Sequence, residues 1–161
     1  MGPVMTPSAS TFQLLPFESG PARWSRNGFE VDTDRQRIDV PGTQRLLVEE
    51  SYWAQGSTAD TLRRAIAGSV VFGIYQGSQQ IGFARVVTDG VAFAYVRDVI
   101  VASAFRGQGL GLWLMQTICE HPDLLPVRRW MLSTRDAHTL YEKLGFRRVG
   151  HTDLLMTRAA G

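Results

Sequence analysis

The sequence predicts an α+β (mixed α/β) domain with helices on both faces of one sheet. Three observations predict it: two early helical patterns, a three-strand meander after them, and then a strand, a glycine loop, a helix, a strand and a short helix in alternation. A chain of 161 residues has the length of one domain. It can bury ~70% of its unfolded surface without a metal or disulfide staple. With 44% hydrophobic and 20% charged residues, its composition is ordinarily globular.

The same numbers exclude several classes. Cys119 is the one cysteine, so there is no disulfide framework and no Cys-rich zinc site. No apolar run approaches the ~18–20 residues of a membrane span. The start, MGPVMTPSAS, lacks the charged and apolar regions of a signal peptide, so the expected location is cytoplasmic, without a membrane partner. A net charge of +2 is too small to argue for nucleic acid, though it favours an anionic small molecule.

Residues 1–25 contain Pro3, Pro7, Pro16 and Pro21 and read as a flexible N-terminal arm, with one short ordered patch at Phe12–Phe17. Residues 26–161 are expected to form a single domain. Gly28-Phe29-Glu30-Val31 reads as a short strand, and Pro41-Gly42 as a break. Thr43–Trp53 reads as a helix, with Leu46, Leu47, Glu50 and Trp53 at three-and-four spacing. Ser57-Thr58-Ala59-Asp60 fits a capping box and opens a second helix with Leu62, Ala65, Ile66 and Ser69 on one face.

Val70–Tyr75 is apolar and β-rich, with a turn at Gln76-Gly77-Ser78. Gln80–Thr88 alternates, placing Ile81, Phe83, Arg85 and Val87 on one face, and Asp89-Gly90 marks a hairpin. Val91–Val101 reads as a long strand interrupted by Arg97 and Asp98. Gly109–Glu120 is a helix apolar on most sides, fit to pack on a sheet. Arg129–Thr134 is a strand, and Asp136 caps a short helix, Ala137–Leu144, which Gly145 ends. Arg147–Gly150 and Thr152–Thr157 are expected to be extended.

Between the long strand and its helix lies Arg106-Gly107-Gln108-Gly109-Leu110-Gly111. Alternating glycines let the backbone approach a ligand and turn several N–H groups inward. The helix start adds unpaired N–H groups and a positive dipole end, and Arg106 adds a forked donor. These features make a cradle for a pyrophosphate. A P-loop is excluded because no Lys follows. A dinucleotide fingerprint is excluded because its third glycine position falls on Leu112 or Leu114. The other reading is a turn that merely lets the helix pack tightly.

Arg106-Gly107-Gln108-Gly109-Leu110-Gly111 resembles the Arg/Gln-x-x-Gly-x-Gly/Ala motif of the GNAT superfamily, the acetyl-CoA-dependent N-acetyltransferases. Ala137-His138-Thr139-Leu140-Tyr141-Glu142-Lys143-Leu144-Gly145-Phe146 resembles that family's Ala-x-x-Leu-Tyr-x-x-x-Gly-Phe block. The order of the two and the helix–helix–meander layout before them also fit, over roughly residues 28–158. The resemblance implies a mostly antiparallel central sheet whose fourth and fifth strands splay, with helices on both faces.

It also implies roles. Val99, Ile100 and Val101 would pair their backbone with the pantetheine arm of acetyl-CoA. The amides of Arg106, Gly107, Gln108, Gly109, Leu110 and Gly111 would hold its pyrophosphate. Tyr141 would donate a proton to the departing thiolate, as a phenol of ordinary pKa ~10 can; the alternative is a tyrosine packed under the sheet. Asp98 would serve as the base, or would instead form a structural pair with Arg85 on the preceding strand. Arg97, next along the strand, should point away from it. Thr134 stands where many members carry Asn and can still donate a hydroxyl to the cofactor. His138, one helical turn before Tyr141, would contact the cofactor or sit at the edge of the site.

The acceptor is expected opposite the cofactor, among Tyr52, Trp53, Phe83 and Arg85, with Arg85 able to grip a carboxylate and Trp53 to cap a pocket. His121 and His151 receive no role, the histidines have no metal spacing, and Cys119 reads as a core residue. The expected activity is direct transfer of an acetyl group from acetyl-CoA to a primary amine of a small molecule or peptide, with no metal. A homodimer is compatible with the resemblance. The alternatives are a non-catalytic acyl-CoA-binding or interaction module and, behind it, a nucleic-acid binder whose aromatics fail to interleave with its basic residues.

Overall fold

A computed structural model describes residues 20–160. Six strands form one sheet in chain order: β1 (Arg23–Arg26), β2 (Phe29–Asp32), β3 (Val70–Gln76), β4 (Gln79–Thr88), β5 (Phe93–Val101) and β6 (Arg129–Met131). Every neighbour pair is antiparallel except β5 and β6, which run parallel because a helix connects them. Helices α1 (Val40–Glu50) and α2 (Ala59–Ala67) cover one face; α3 (Leu110–Glu120) and α4 (His138–Glu142) cover the other. This is the mixed α+β arrangement expected.

The proline-rich arm differs from expectation at its end. Arg23-Trp24-Ser25 pairs with Glu30–Asp32, closed by a turn in which Asn27 and Gly28 take φ of 50° and 81°. Asn-Gly is suited to such a turn because both central residues need positive φ. The patch expected at Phe12–Phe17 lies outside the described residues. The added front strand makes the splaying pair the fifth and sixth strands here.

Pro41-Gly42 begins α1 rather than breaking the chain. Asp39 caps the helix by accepting the Gly42 N–H at 3.0 Å. Proline fits the first turn because the N–H it lacks has no partner there anyway. The helix therefore stops at Glu50, and Tyr52 and Trp53 fall in the loop after it. Thr58 caps α2, and Leu62 and Ile66 bury the expected face.

Two bulges reset the strand faces. Between Ile74 and Tyr75 the register with β4 shifts and leaves Ile81 as the extra residue. Ile81 then packs with the α3-side core while Phe83 packs on the α1–α2 side with Leu47, Leu62 and Ile66. Strict alternation over Ile81, Phe83 and Arg85 fails for that reason. The second shift lies between Phe83↔Ile100 and Arg85↔Arg97, where β5 carries one residue more than β4. Ala94 and Val96 face the α3 side before it, and Ile100 faces the α1–α2 side after it.

β6 is shorter than expected. It pairs with β5 only from Phe93↔Arg129 to Tyr95↔Met131, and residues 132–134 leave the sheet. A wedge-shaped gap opens beyond Tyr95. Arg147–Gly150 forms no strand, and Thr152–Leu154 is a short 3-10 turn instead of an extended segment. Val149, Leu155 and Met156 stay exposed, because the three-residue β6 offers these residues little edge to pair with.

Candidate active site

The wedge between β5 and residues 132–137 forms a cleft of about 490 Å3, closed at one end by the α1–α2 loop. Val96–Val101, Arg106, Leu132–Ala137 and Tyr141 line it, with Glu50, Tyr52, Trp53 and Tyr95 at its rim. Beyond Tyr95 the cleft-facing edge of β5 has no strand partner, so the backbone of Val99, Ile100 and Val101 is left to pair with something else.

The glycine loop follows at once. A 3-10 turn, Ser103–Phe105, takes the N–H groups of Phe105 and Arg106. Gly107 and Gly109 have φ of 80° and 76°, the left-handed region that glycine enters without penalty. This path leaves the N–H groups of residues 107–112 without an acceptor among the described residues; the first helical bond there is Trp113 N–H to Gly109 C=O at 3.0 Å. Six consecutive free donors at the start of an eleven-residue helix fit an anionic diphosphate.

Arg106 spans the loop and the cleft. Its Nε donates to the Val101 carbonyl at 2.8 Å, and its guanidinium reaches Glu50 at 3.2 Å. Glu50 also accepts the Ser103 N–H at 2.8 Å and its hydroxyl at 3.1 Å. The end of α1 is thereby tied to the glycine loop. Arg26, at the end of β1, brings its guanidinium to within 3.9 Å of where a Cβ on Gly109 would lie.

Tyr141 is 9% exposed and faces the cleft from α4. Its ring meets Phe146 edge-on at 5.9 Å, and its hydroxyl makes no hydrogen bond among the described residues. Burial, with the nearby Tyr52 and Asp136, raises its pKa above the usual phenol value. It is a proton donor at neutral pH. The Thr134 hydroxyl accepts the Ala137 N–H at 3.0 Å and so holds the start of α4, the task expected of Asp136.

Asp98 sits at the β5 bulge with φ of 54°. Its carboxylate receives Arg85 Nε at 2.5 Å, and the two side chains are only 11% and 12% exposed. Arg85 also donates to the Ser69 hydroxyl at 3.2 Å. Asp98 therefore lines the cleft as the partner of a partly buried pair. Arg85 is committed to that pair, and Phe83, at 0% exposure, belongs to the core. Neither lines the cleft, which corrects their expected place at the acceptor.

Tyr52 and Trp53, 41% and 42% exposed, do line it and meet edge-on at 5.0 Å. His138 opens on a separate depression with Thr134 and Tyr141, on the far side of residues 131–134. Sequence reading gave no site role to Glu50, Arg26, Arg135 or Asp136, which carry no motif of their own. Among the described residues, no group of three or more His, Cys, Asp or Glu gathers as a metal site. No helix among them is long and apolar enough to cross a membrane.

Comparison with known proteins gives one consistent result. Residues 67–148 match the family model of the acetyltransferase (GNAT) domain. A curated protein of Gibberella zeae, whose name places it provisionally among the acetyltransferases, is 31% identical over 143 residues, 76% of this chain and 81% of that one. A crystal structure from Xanthomonas campestris, assigned to the same family, is 36% identical with a TM-score of 0.80, covering 84% of this chain and 96% of that one. A crystal structure from Clostridium acetobutylicum, described as that of a predicted acetyltransferase with acetyl-CoA, shares the fold at 15% identity with a TM-score of 0.59, over 76% and 90% of the two chains.

Proposed function

This chain belongs to the GNAT acetyltransferase family, and from that premise we propose that it transfers the acetyl group of acetyl-CoA directly to a primary amine of a small molecule or peptide. One observation carries the reading. The six free amides at residues 107–112 stand beside a cleft whose unpaired strand edge leads to Tyr141.

Acetyl-CoA supplies an acyl group activated as a thioester. Residues 107–111 hold the diphosphate, with Arg26 adding a nearby positive charge. The β5 edge at Val99–Val101, which has no strand partner, would hold the pantetheine by main-chain pairing. Tyr141 gives its proton to the departing thiolate. Asp98 shapes the bulge through Arg85 rather than acting as the base. Glu50 is held by Arg106. Proton removal from the amine falls to cleft water or to Asp136, a lining carboxylate with no ion pair among the described residues.

Calorimetric titration with acetyl-CoA, followed by thiol release over a panel of amines, tests the reading. Binding and amine-dependent release are expected. Binding without release from any amine would leave an acyl-CoA-binding module, and absence of binding at millimolar acetyl-CoA would remove the reading altogether.

A further inference from the structure

The charges facing the cleft do not balance. Three arginines line it: Arg97, Arg106 and Arg135. Arg106 is spent on Glu50 and the Val101 carbonyl. Arg97 and Arg135 make no ion pair and no side-chain hydrogen bond among the described residues. Of the lining carboxylates, Glu50 and Asp98 are paired, and Asp136 alone is not. The uncommitted charge is therefore two guanidinium groups against one carboxylate.

Arg135 is also held in place. Its guanidinium lies 3.9 Å over the Tyr52 ring, and its own main-chain N–H donates to the Tyr52 hydroxyl at 3.0 Å. Stacking fixes the plane of the fork and leaves its edge donors unused. Arg97 projects from β5 with its guanidinium 5.9 Å from the Tyr95 ring, on the same side of the strand. Tyr52 and Trp53 supply an apolar wall beside them.

We propose that the acceptor carries a carboxylate beside its amine, and that Arg97 and Arg135 bind that carboxylate; this rests on the acetyl-transfer reading above. A forked guanidinium matches a carboxylate with two parallel hydrogen bonds. A single negative charge offsets the cleft's uncommitted excess. A phosphomonoester brings nearly two, overshooting it. A polyamine adds cations beside two unpaired guanidinium groups and is repelled. The class is the amino acids and their ω-amino relatives, with the Tyr52–Trp53 wall taking the apolar part of the molecule.

The test is steady-state kinetics with acetyl-CoA over paired probes: the twenty amino acids and β-alanine, each against its amide, with spermidine and glucosamine 6-phosphate alongside. At least one amino acid should exceed its amide by about tenfold or more in kcat/KM, the loss expected when a charge-assisted pair is left unmade. Arg97→Gln and Arg135→Gln should raise KM for that amino acid by about tenfold while leaving kcat and the KM for acetyl-CoA within about twofold. The amide's kinetics should not change in either variant. Both arginines are exposed, so the variants should fold normally. Amides used as well as their acids, or spermidine or glucosamine 6-phosphate preferred, would overturn the proposal while keeping acetyl transfer. Release from no probe at all would count against acetyl transfer itself and take this proposal with it.

Discussion

Arg85 and Asp98 form a partly buried ion pair, 2.5 Å from Nε to Oδ2, across the register shift that separates β4 from β5 at the edge of the cleft. Asp98 takes a left-handed conformation, and with Val99 it occupies the stretch where β5 carries one residue more than β4. The bulge turns Val99–Val101 to a new phase just where the strand loses its partner β6. The course of the unpaired β5 edge along the cleft follows this shift.

Removing the charge from Asp98 should therefore unsettle the fold first. Asp98→Asn keeps a side chain that tolerates positive φ, so only the charge is lost. A stability loss of about 1–3 kcal/mol is expected, since a partly buried guanidinium loses its charged partner. Arg85→Met should cost a similar amount, and the double variant clearly less than the two losses added. Urea denaturation of all four proteins measures this. Full additivity would show that the pair contributes nothing.

Tyr141→Phe should keep the packing against Phe146 and lose only the hydroxyl. Turnover should fall by roughly 10²–10³ with the KM for acetyl-CoA nearly unchanged, the pattern of a lost general acid. The pH dependence has a definite sign. Because burial raises the Tyr141 pKa above its usual ~10, the proton is retained through neutral and mildly alkaline pH. The alkaline fall in kcat that Tyr141 causes should lie at higher pH than an ordinary phenol of pKa ~10 would give. Wild-type turnover followed from pH 7 to 10.5, beside that of the phenylalanine variant, decides the point.

Gly109→Ala puts a Cβ on a residue with φ of 76°. The space is open, with Arg26 the nearest group at 3.9 Å, so the cost is conformational, about 1–2 kcal/mol. A chain of this length should lose a few degrees in melting temperature. The same change tilts the free N–H groups on either side, and the KM for acetyl-CoA should rise several-fold while the KM for the amine holds. Differential scanning fluorimetry and initial rates report the two effects separately.

His121 gives a second pH dependence, in stability. It is buried just after the end of α3, with the rings of Trp24 and Phe72 at 6.0 and 5.7 Å, and its Nδ1 accepts the Asp123 N–H at 3.1 Å. Burial lowers its pKa against the opposing pull of Asp123. A depressed pKa means that the unfolded chain binds the proton more tightly. The stabilisation is present above the unfolded value of about 6.5 and is lost as pH falls from there through the folded value. Melting temperature should drop between pH 6.5 and 5 in the wild type, and the drop should shrink in His121→Asn, which keeps an acceptor for Asp123. An unchanged slope would assign the acid sensitivity to other groups.

Much of this was legible along the chain. The Gly107 and Gly109 positions, the Thr58 cap, the Gly77 and Gly90 turns and the register of Tyr141 with the glycine loop all follow from local rules, because each depends on the conformational freedom or periodicity of a few adjacent residues. The start of α1 was misplaced only because Pro41 serves equally as a breaker and as a first-turn residue, and Asp39 decides between them.

The sequence alone determined where a run of free amides and its helix would lie, since such a run needs only glycines and a helix start. Tertiary structure decided which arginines remain available. Arg85, Arg97, Arg106 and Arg135 look alike in sequence, yet one is paired with Asp98, one is tied to Glu50, and two face the cleft with no ion pair among the described residues. A bulge reverses every side chain beyond it, and a strand edge is free only if no other strand reaches it; both are properties of pairing between distant segments, which no local pattern contains.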